Sequence, residues 1–354
     1  MKIVSVFLFF LITCVLATAS EVLQLSNAKL DIRINKKGGA ISSCILTGND
    51  LNPFSWQSGN PVDGSNNEGL FVCFDRLGRP SEAEMARGVP FHGEATSVEW
   101  EVLTRFTDAD GNHHLKMRCI LPVARMQLIR EYCLYKDSTV CRIVDRIKNL
   151  NTFDKDYNIV QHPSLAPPFL DKSVMVDSNG GKGFLNMKNL DDAPGTENHW
   201  PEVVYENEVI NLRSISDGNS FVANYLCPNT YSHGWGSVSN PGKGLMVGFL
   251  WPREDYPWIR IWRAFKNDSP SALGVEFGTT PLGAPLKEIR KKGDLLGEST
   301  IETLRPGEIS EKTFYLFLSP IHGDFEGVEE VRLNSSGLSM QEIGGHSPVN
   351  LWVN

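Results

Sequence analysis

Hydrophobic and polar residues alternate close to the start of the chain. In "KLDIRINKKGGAISSCIL", Leu30, Ile32 and Ile34 are separated by polar residues, and the pattern resumes at Ile41 after a glycine-containing turn. Alternation with a period of two is typical of a β-strand that buries one face. Two such strands on either side of a short turn predict a β-hairpin.

Strand-like alternation continues along the chain. "SVEWEVLTRF" and "HHLKMRCIL" flank the turn sequence "DADGN", and "MQLIREYCLY" and "STVCRIVDRIKNL" flank Lys136 and Asp137. Later segments of the same kind are "SFVANYL", "GWGSVSN", "GLMVGFLW", "WIRIWRAF", "ALGVEFG", "STIETL" and "KTFYLFLS". Short strands at regular spacing predict an all-β fold, a sandwich or a barrel. We expect two large antiparallel sheets packed face to face.

A few segments lack this pattern. "DFEGVEEVRL" near the C-terminus is predicted to form about two turns of helix. Residues 52–67, 75–90, 163–190 and 191–202 show no regular period and are predicted to be loops. Long loops in a compact domain often carry function, so these four segments are candidates for the surroundings of a site.

The first twenty residues, "MKIVSVFLFFLITCVLATAS", differ from the rest. Lys2 precedes an apolar run, and small residues follow that run up to Ala19. This order is typical of a secretory signal peptide. We therefore expect a signal peptide over residues 1–19, a single domain over residues 20–354, and an exported protein, periplasmic or secreted. The alternative is a lipid anchor through Cys14.

Composition and charge narrow the classes of partner. The 354 residues are 41% hydrophobic and 21% charged, which is too apolar for a disordered chain. The net charge of −8 argues against a nucleic-acid binder. No stretch after the signal segment is long enough to cross a bilayer, so no stable membrane span is expected.

Six cysteines remain after the signal segment, and their wide spacing does not indicate a disulfide scaffold. We expect them to be small buried hydrophobic residues. Cys133 and Cys141 flank a predicted hairpin, which would place them close together.

Three ionisable residues lie in apolar or glycine-rich surroundings: His92 in "GVPFHGEA", His162 in "NIVQHPSLAPPF" and Glu276 in "ALGVEFGTTP". Glycine in a strand often lets a ligand or another backbone approach closely. Gly274 and Gly278 are therefore predicted to clear the floor beside Glu276. Histidine and glutamate can divide a proton-transfer reaction, although a lone strand-end histidine is more often structural.

Other side chains are candidates for binding a ligand. Trp251, Trp258 and Trp262 precede Glu276, and a flat apolar ring can pack against an apolar ligand face, such as the C–H face of a sugar ring. Trp258, at a loop-to-strand junction, is the preferred candidate, with a core position as its alternative. Arg76 in "FDRLGRP" can donate to hydroxyls through its guanidinium, with a solvated loop position as the alternative.

In their order along the chain, these motifs resemble the galactose mutarotase-like superfamily, which contains aldose 1-epimerase. "LSNAKLDIRINKKGGAISSCIL" resembles the family's opening hairpin, and "PFHGEA" its first histidine motif. "LIREYCLYKDSTVCRIVDRIKNLNTFDKDYNIVQHPSL" resembles the central sheet that ends in the second histidine. "GVEFGTTP" resembles the strand that carries the catalytic glutamate. The resemblance covers most of the chain after the signal segment.

The resemblance implies a large antiparallel β-sandwich of the supersandwich type that interconverts sugar anomers. Glu276 would be the general base on the anomeric hydroxyl, and His162 the general acid that protonates the ring oxygen. His92 would bind the ring oxygen or a hydroxyl. The implied partner is a carbohydrate, either an aldose or a saccharide chain end, and no metal or organic cofactor is implied. Family members also use an aspartate before the glutamate, for which Asp217 is the preferred candidate and Asp255 the alternative.

Two alternative functions remain open at this point. The chain has "HPSLAPPF" where family members often follow the second histidine with an aromatic residue and an asparagine. This difference favours a non-catalytic carbohydrate-binding or accessory protein on the same fold. Two histidines and a carboxylate are also a known metal-ligand set, but their spacing here does not match a metal motif.

Overall fold

The computed structural model describes residues 21–58, 64–187, 190, 197–335, 337–345 and 347–353. The predicted signal peptide and Cys14 lie outside the described residues. The described strands are β1 Val22–Ser26, β2 Leu30–Asn35, β3 Ile41–Leu46, β4 Leu70–Phe74, β5 Glu101–Thr107, β6 His113–Leu121, β7 Met126–Leu134, β8 Val140–Asn149, β9 Lys155–Tyr157, β10 Ile159–Leu165, β11 Met175–Ser178, β12 Lys182–Leu185, β13 Asn198–His199, β14 Glu202–Tyr205, β15 Glu208–Asn211, β16 Phe221–Leu226, β17 His233–Asn240, β18 Leu245–Pro252, β19 Trp258–Lys266, β20 Ser269–Gly278, β21 Glu302–Leu304, β22 Ile309–Pro320, β23 Val328–Asn334, β24 Gly337–Glu342 and β25 Val349–Val353. Two short helices, α1 Glu82–Met85 and α2 Leu286–Lys292, and two 3-10 turns, Glu94–Thr96 and Pro241–Lys243, interrupt them.

Two large antiparallel sheets form the body of the protein. One has ten strands in the order β1-β2-β3-β4-β10-β20-β19-β16-β12-β13, and the other has eight in the order β11-β17-β18-β22-β8-β7-β6-β5. Side chains from both sheets meet in one large core, including Ile159 and Val275 from the first sheet and Leu128 and Val247 from the second. The predicted antiparallel β-sandwich is confirmed.

The three hairpins predicted from alternation are present. β2 pairs with β3, β5 with β6, and β7 with β8. In β2, β6 and β7 the alternating apolar positions are buried, as a period of two requires, whereas no side chain of β5 is buried.

The helix predicted in "DFEGVEEVRL" is wrong. Residues Val328–Asn334 form strand β23, which pairs with β24 in a small three-stranded sheet. Val328 and Val331 are buried in a second apolar cluster against Phe325 and Leu338. β-Branched valines favour this extended, half-buried position over a helix.

The predicted loops contain more regular structure than expected. The 163–190 segment includes β11 and β12, and the 75–90 segment includes α1. Ser81 caps α1 through a capping box with Glu84, a signal that the sequence contains. Parts of the 52–67 and 191–202 segments lie outside the described residues.

A buried polar network joins the two sheets below the outer face of the ten-stranded sheet. Arg130 on β7 donates two hydrogen bonds of 2.7 Å to Asp145 on β8 and one of 2.8 Å to Gln161 on β10. Gln161 donates to Asp145 at 2.9 Å and to the Tyr256 hydroxyl at 3.0 Å. The network anchors β10 at the residue immediately before His162.

The six cysteines of the described ranges are free and buried, and their burial agrees with the expectation from the sequence. Cys133 and Cys141 lie on adjacent strands, one position out of register. In the part of the chain that the structure describes, no helix is long and apolar enough to span a bilayer.

Candidate functional site

A cleft of about 1250 Å³ opens on the outer face of the ten-stranded sheet. The neighbouring strands β10, β20, β19 and β16 contribute its floor. The alternation of β20 turns Val275 into the core and Glu276 toward the cleft. His92, His162 and Arg76 line the same cleft. The structure therefore brings together four residues that are far apart in the sequence.

Glu276 is buried and is held by two side chains. Its Oε2 accepts a 3.0 Å hydrogen bond from Nε of Arg260, and its Oε1 lies 3.3 Å from Nε2 of His162. Burial raises the pKa of Glu276, and the positive charge of Arg260 opposes that rise. A carboxyl group whose pKa moves toward neutral pH is suited to general base catalysis.

Arg260 is a cleft residue that sequence reasoning missed. It lies on β19 directly across from Glu276 in the strand pairing. Its Nη1 donates to Oδ1 of Asn224 at 3.1 Å and also to the Pro281 carbonyl. These contacts fix the guanidinium and leave it aimed at the glutamate.

His162 is buried at the centre of the site. Its ring stacks on Phe71 with centroids 4.4 Å apart, and its Nδ1 lies 2.9 Å from the Ser164 hydroxyl. An ionised carboxylate can only accept, so Nε2 carries the ring proton toward Glu276 and Nδ1 accepts from Ser164. Burial, together with the positive charge of Arg260, lowers the pKa of His162 to about 3.

We expect His162 to be a neutral imidazole at every pH from about 5 upward. In the unfolded chain its pKa is 6.5, against about 3 in the fold. Between those two values the unfolded state binds more protons, so His162 makes the free energy of unfolding fall as pH decreases through this window. Nitrogen-15 NMR of labelled histidine at about pH 5 should show a neutral Nε2–H tautomer for His162. An imidazolium signal at that pH would contradict this assignment.

His92 lies at a strained turn beside His162. Its φ is +64°, and the φ of the following Gly93 is +85°. A Cβ on Gly93 would lie 2.2 Å from the Phe74 carbonyl, so the turn requires glycine there. The backbone N–H of Gly78 donates to Nδ1 of His92 at 3.1 Å, which leaves Nε2 as the ring's N–H. The two histidine rings meet edge to face with centroids 4.9 Å apart.

Solved structures share this sandwich. A galactose mutarotase related enzyme from Lactobacillus acidophilus matches with a TM-score of 0.62 and 14% identity, covering 85% of this chain and 98% of that one. The chain has the galactose mutarotase-like fold. A galactose mutarotase-like protein from Clostridium acetobutylicum matches with a TM-score of 0.63 and 13% identity over 85% of this chain and 96% of that one. A candidate aldose 1-epimerase from Escherichia coli K12 gives 0.61 and 14% identity, with 86% and 100% covered.

Comparisons by sequence find no relative of this chain. No family model matches the chain, and no curated protein matches it. At identities of 13% to 14%, the likeness to these three structures establishes the mutarotase-like fold alone.

Of the two glycines beside Glu276 in the mutarotase-like sheet, Gly274 faces the cleft floor. A Cβ at Gly274 would lie 3.2 Å from both Oε1 of Glu276 and Cε3 of Trp262, so this glycine gives Trp262 room beside the glutamate. A Cβ at Gly278 would lie 2.6 Å from a methyl group of Val160 on β10. The prediction that Gly278 clears the floor for a ligand is therefore wrong, because the neighbouring strand fills that space.

The aromatic wall of the cleft comes from Trp262 and Trp56, whose rings meet edge to face at 5.4 Å. The prediction that Trp258 contacts a sugar is wrong in this structure. Trp258 lies on the same face of β19 but is fully buried beneath Ile289 of α2, and its Nε1 donates to the Ser299 carbonyl. Trp251 is buried in the main core.

The two candidate aspartates lie outside the cleft lining, so neither prediction agrees with the structure. Asp217 pairs with Arg263, whose guanidinium also packs against Phe221. Asp255 accepts a 2.8 Å hydrogen bond from the backbone of Thr313 on the other sheet. Both carboxylates have structural partners.

Metal binding is not favoured by the arrangement of ligand-type side chains. Within the described residues, no group of three or more histidine, cysteine, aspartate or glutamate side chains is placed to hold a metal ion. Instead, Oε1 of Glu276 lies 3.3 Å from Nε2 of His162, and this contact favours proton transfer between the two side chains.

Proposed function

We propose that the protein interconverts the anomers of an aldose in this cleft, as an aldose 1-epimerase-like isomerase. The observation that carries the proposal is the 3.3 Å contact between Oε1 of Glu276 and Nε2 of His162, buried on the floor of an open cleft. The names of the structures that share the fold support the same reaction class.

This contact lets a base, Glu276, and an acid, His162, exchange a proton with each other during the reaction. Opening a pyranose moves a proton from the anomeric hydroxyl oxygen, O1, to the ring oxygen, O5, as the C1–O5 bond breaks. Glu276 takes the proton from O1 while Nε2 of His162 gives its proton to O5. The proton on Glu276 then passes across the short contact to His162, so both side chains return to their starting states. Rotation about C1–C2 and ring closure by the reverse steps give the other anomer.

Neighbouring side chains set the geometry of this relay. Ser164 holds the His162 ring and Arg260 holds the carboxylate, so few degrees of freedom remain to be fixed when a sugar binds. Trp262 and Trp56 offer flat apolar surfaces for the C–H face of a pyranose. His92 lines the same cleft, where its ring can contact a sugar oxygen.

Polarimetry of freshly dissolved α-anomers tests the proposal. We expect optical rotation to approach equilibrium faster with protein than with buffer, at a rate proportional to protein concentration, for at least one aldose in a panel of neutral and acidic sugars. A panel in which no aldose equilibrates faster than its buffer blank would contradict the proposed activity.

The second candidate function is a non-catalytic carbohydrate-binding protein. It is favoured by the Arg260 contact, because a carboxylate already paired with a guanidinium is a weaker base than a free one. Isothermal titration of sugars that bind without being equilibrated would support this alternative over the isomerase.

A further inference from the structure

A second pocket lies where strand β23 of the small sheet meets β17 of the eight-stranded sheet. It has a volume of about 540 Å³, within the range of about 300–1,000 Å³ that is usual for small-ligand sites. Among the described residues, its lining shares none with the cleft on the ten-stranded sheet. The pocket is therefore a separate candidate for binding.

Trp235 on β17 supplies an unused hydrogen-bond donor to this pocket. The side chain is 4% exposed and belongs to the same apolar cluster as Val331 of β23. Its backbone N–H and carbonyl pair with Asn179 and Ser178, whereas its indole N–H has no partner among the described residues. The indole nitrogen is not one of the described side-chain atoms that are both unpartnered and sealed from solvent. This N–H therefore meets solvent at the pocket, where a ligand can accept from it.

The wall around Trp235 is fixed before any ligand binds. The side-chain amide of Asn179 donates to the His233 carbonyl at 2.8 Å and accepts from the Trp235 backbone N–H at 2.9 Å. The Ser178 hydroxyl donates to the Trp235 carbonyl at 2.9 Å. These three hydrogen bonds tie the end of β11 to β17. A wall that is already ordered reduces the entropy lost when a ligand binds.

The ionic groups of the pocket disfavour a charged ligand. Arg332 on β23 pairs with Glu330, and among the described residues no other lysine or arginine lines the pocket. Glu329 adds a second carboxylate, which repels an anion. Burial lowers the pKa of His233, so its ring is neutral at neutral pH. A simple ammonium ion is also a poor fit, because it has no acceptor for the Trp235 N–H.

Neutral side chains that suit hydroxyl groups complete the lining. Nδ1 of His233 lies 2.9 Å from the Ser232 hydroxyl, and its Nε2 has no partner within the described ranges. Tyr231 is 51% exposed, so its ring and hydroxyl are open to a ligand. A sugar hydroxyl can accept from an indole and donate to a carboxylate, and the C–H face of a sugar ring can cover an aromatic ring.

We propose that this pocket binds a neutral saccharide through Tyr231, His233, Trp235 and Glu329. The Tyr231 ring packs against the C–H face of one sugar unit. The Trp235 indole donates to a hydroxyl, and Glu329 accepts from another. The site lies apart from the cleft and does not depend on the proposed isomerase reaction. It gives the protein a second contact with a saccharide chain.

Isothermal titration with sugars that cannot mutarotate tests the site. The probes are the methyl glycosides of maltotriose, cellotriose and xylotriose, with a capped trialanine peptide and spermidine titrated in parallel. We expect saturable binding of at least one glycoside at millimolar concentration. Added salt should leave this affinity unchanged, because the ligand carries no charge to be screened. Binding of only the peptide or spermidine, or of none of the probes, would overturn the proposal.

Variants locate the bound saccharide. Trp235→Phe keeps an aromatic ring but removes the N–H, and Tyr231→Ala removes an exposed ring, so each should weaken glycoside binding by about threefold to tenfold. Because Tyr231 is exposed, its variant should fold as the wild type does. The matched controls are Phe153→Ala, at another exposed ring, and Trp352→Phe, at an indole that stacks on Tyr135 outside the pocket. Both controls should bind as the wild type does.

A cleft variant distinguishes the two sites. Trp262→Ala removes an aromatic surface of the cleft and leaves the lining of the second pocket intact. Weaker glycoside binding in Trp262→Ala, with unchanged binding in Tyr231→Ala and Trp235→Phe, would place the saccharide in the cleft and overturn the second site. Weaker binding in the two pocket variants supports the second site, whether or not the protein interconverts anomers.

Discussion

Glu276→Gln should lower the rate of anomer interconversion by about a hundredfold or more. The amide keeps the size of the side chain but cannot take the proton from O1, and a positioned general base typically contributes at least this factor. Sugar binding should survive, because the amide can still hydrogen-bond a hydroxyl. Exchange NMR gives the rate, and isothermal titration gives the affinity of the same preparation.

The control for this variant is Glu311→Gln, which makes the same substitution on an exposed side chain of the other sheet. It should match the wild type in rate. A Glu276→Gln protein that interconverts its sugar as fast as Glu311→Gln would show that the glutamate is not the base.

The same substitution should also lower stability moderately. Glu276 accepts a hydrogen bond from the buried Arg260. The glutamine amide can still accept this hydrogen bond, but it leaves the buried guanidinium without its counter-charge, which should cost about 1.5–3 kcal/mol. Rates should therefore be measured well below the melting temperature of the variant.

Arg130→Met should lower the free energy of unfolding by about 3–5 kcal/mol, the usual cost of removing one partner of a buried ion pair. Asp145 is fully buried, and the variant leaves its carboxylate with the Gln161 amide in place of the guanidinium. Chemical denaturation at neutral pH measures the loss.

Arg146→Met is the matched control on the neighbouring strand. Arg146 pairs with Glu131 and Glu311 at the protein surface, where an ion pair contributes at most about 1 kcal/mol. Equal losses of unfolding free energy in Arg130→Met and Arg146→Met would show that the buried network stabilises the fold no more than a surface ion pair does. A double variant, Arg130→Met with Asp145→Leu, should recover part of the stability, because no buried charge is left unpaired.

Many of the strands could be predicted because apolar residues recur at every second position along them. The segment around Leu273, Val275 and Phe277 shows this directly, since all three are core residues and the alternating position of Glu276 faces the cleft. Strand β23 could not be predicted in the same way. Its valines contact a cluster formed by residues distant in the sequence, such as Trp235, and no local period records that contact.

Arg260 shows why part of the site could not be predicted from the sequence. The hairpin of β19 and β20 begins with Lys266 paired to Ser269, and regular pairing from there would place Arg260 opposite Val275. A bulge between Ala264 and Phe265 shifts the register by one residue and places Arg260 opposite Glu276. Nothing in the local sequence fixes the position of that bulge.

For a similar reason, the sequence could not show that Trp262 lines the cleft and Trp258 does not. Trp258 and Trp262 share one face of β19, but helix α2 covers only Trp258. The helix has a sequence signal in "PLKEIRKKG", a proline before helix-forming residues and a glycine after them. Where such a short helix packs depends on Ile289 meeting Leu282 and Trp258, which only the folded chain brings together.

The most direct test of the relay uses an aldose labelled with carbon-13 and oxygen-18 at C1, followed by carbon-13 NMR. One spectrum series reports both the exchange between anomers and the loss of the labelled oxygen to water. Ring opening by proton transfer from O1 to O5 breaks the C1–O5 bond, so we predict rapid anomer exchange with the oxygen-18 retained. Loss of the label at each interconversion, or anomer exchange no faster than in buffer, would contradict the account.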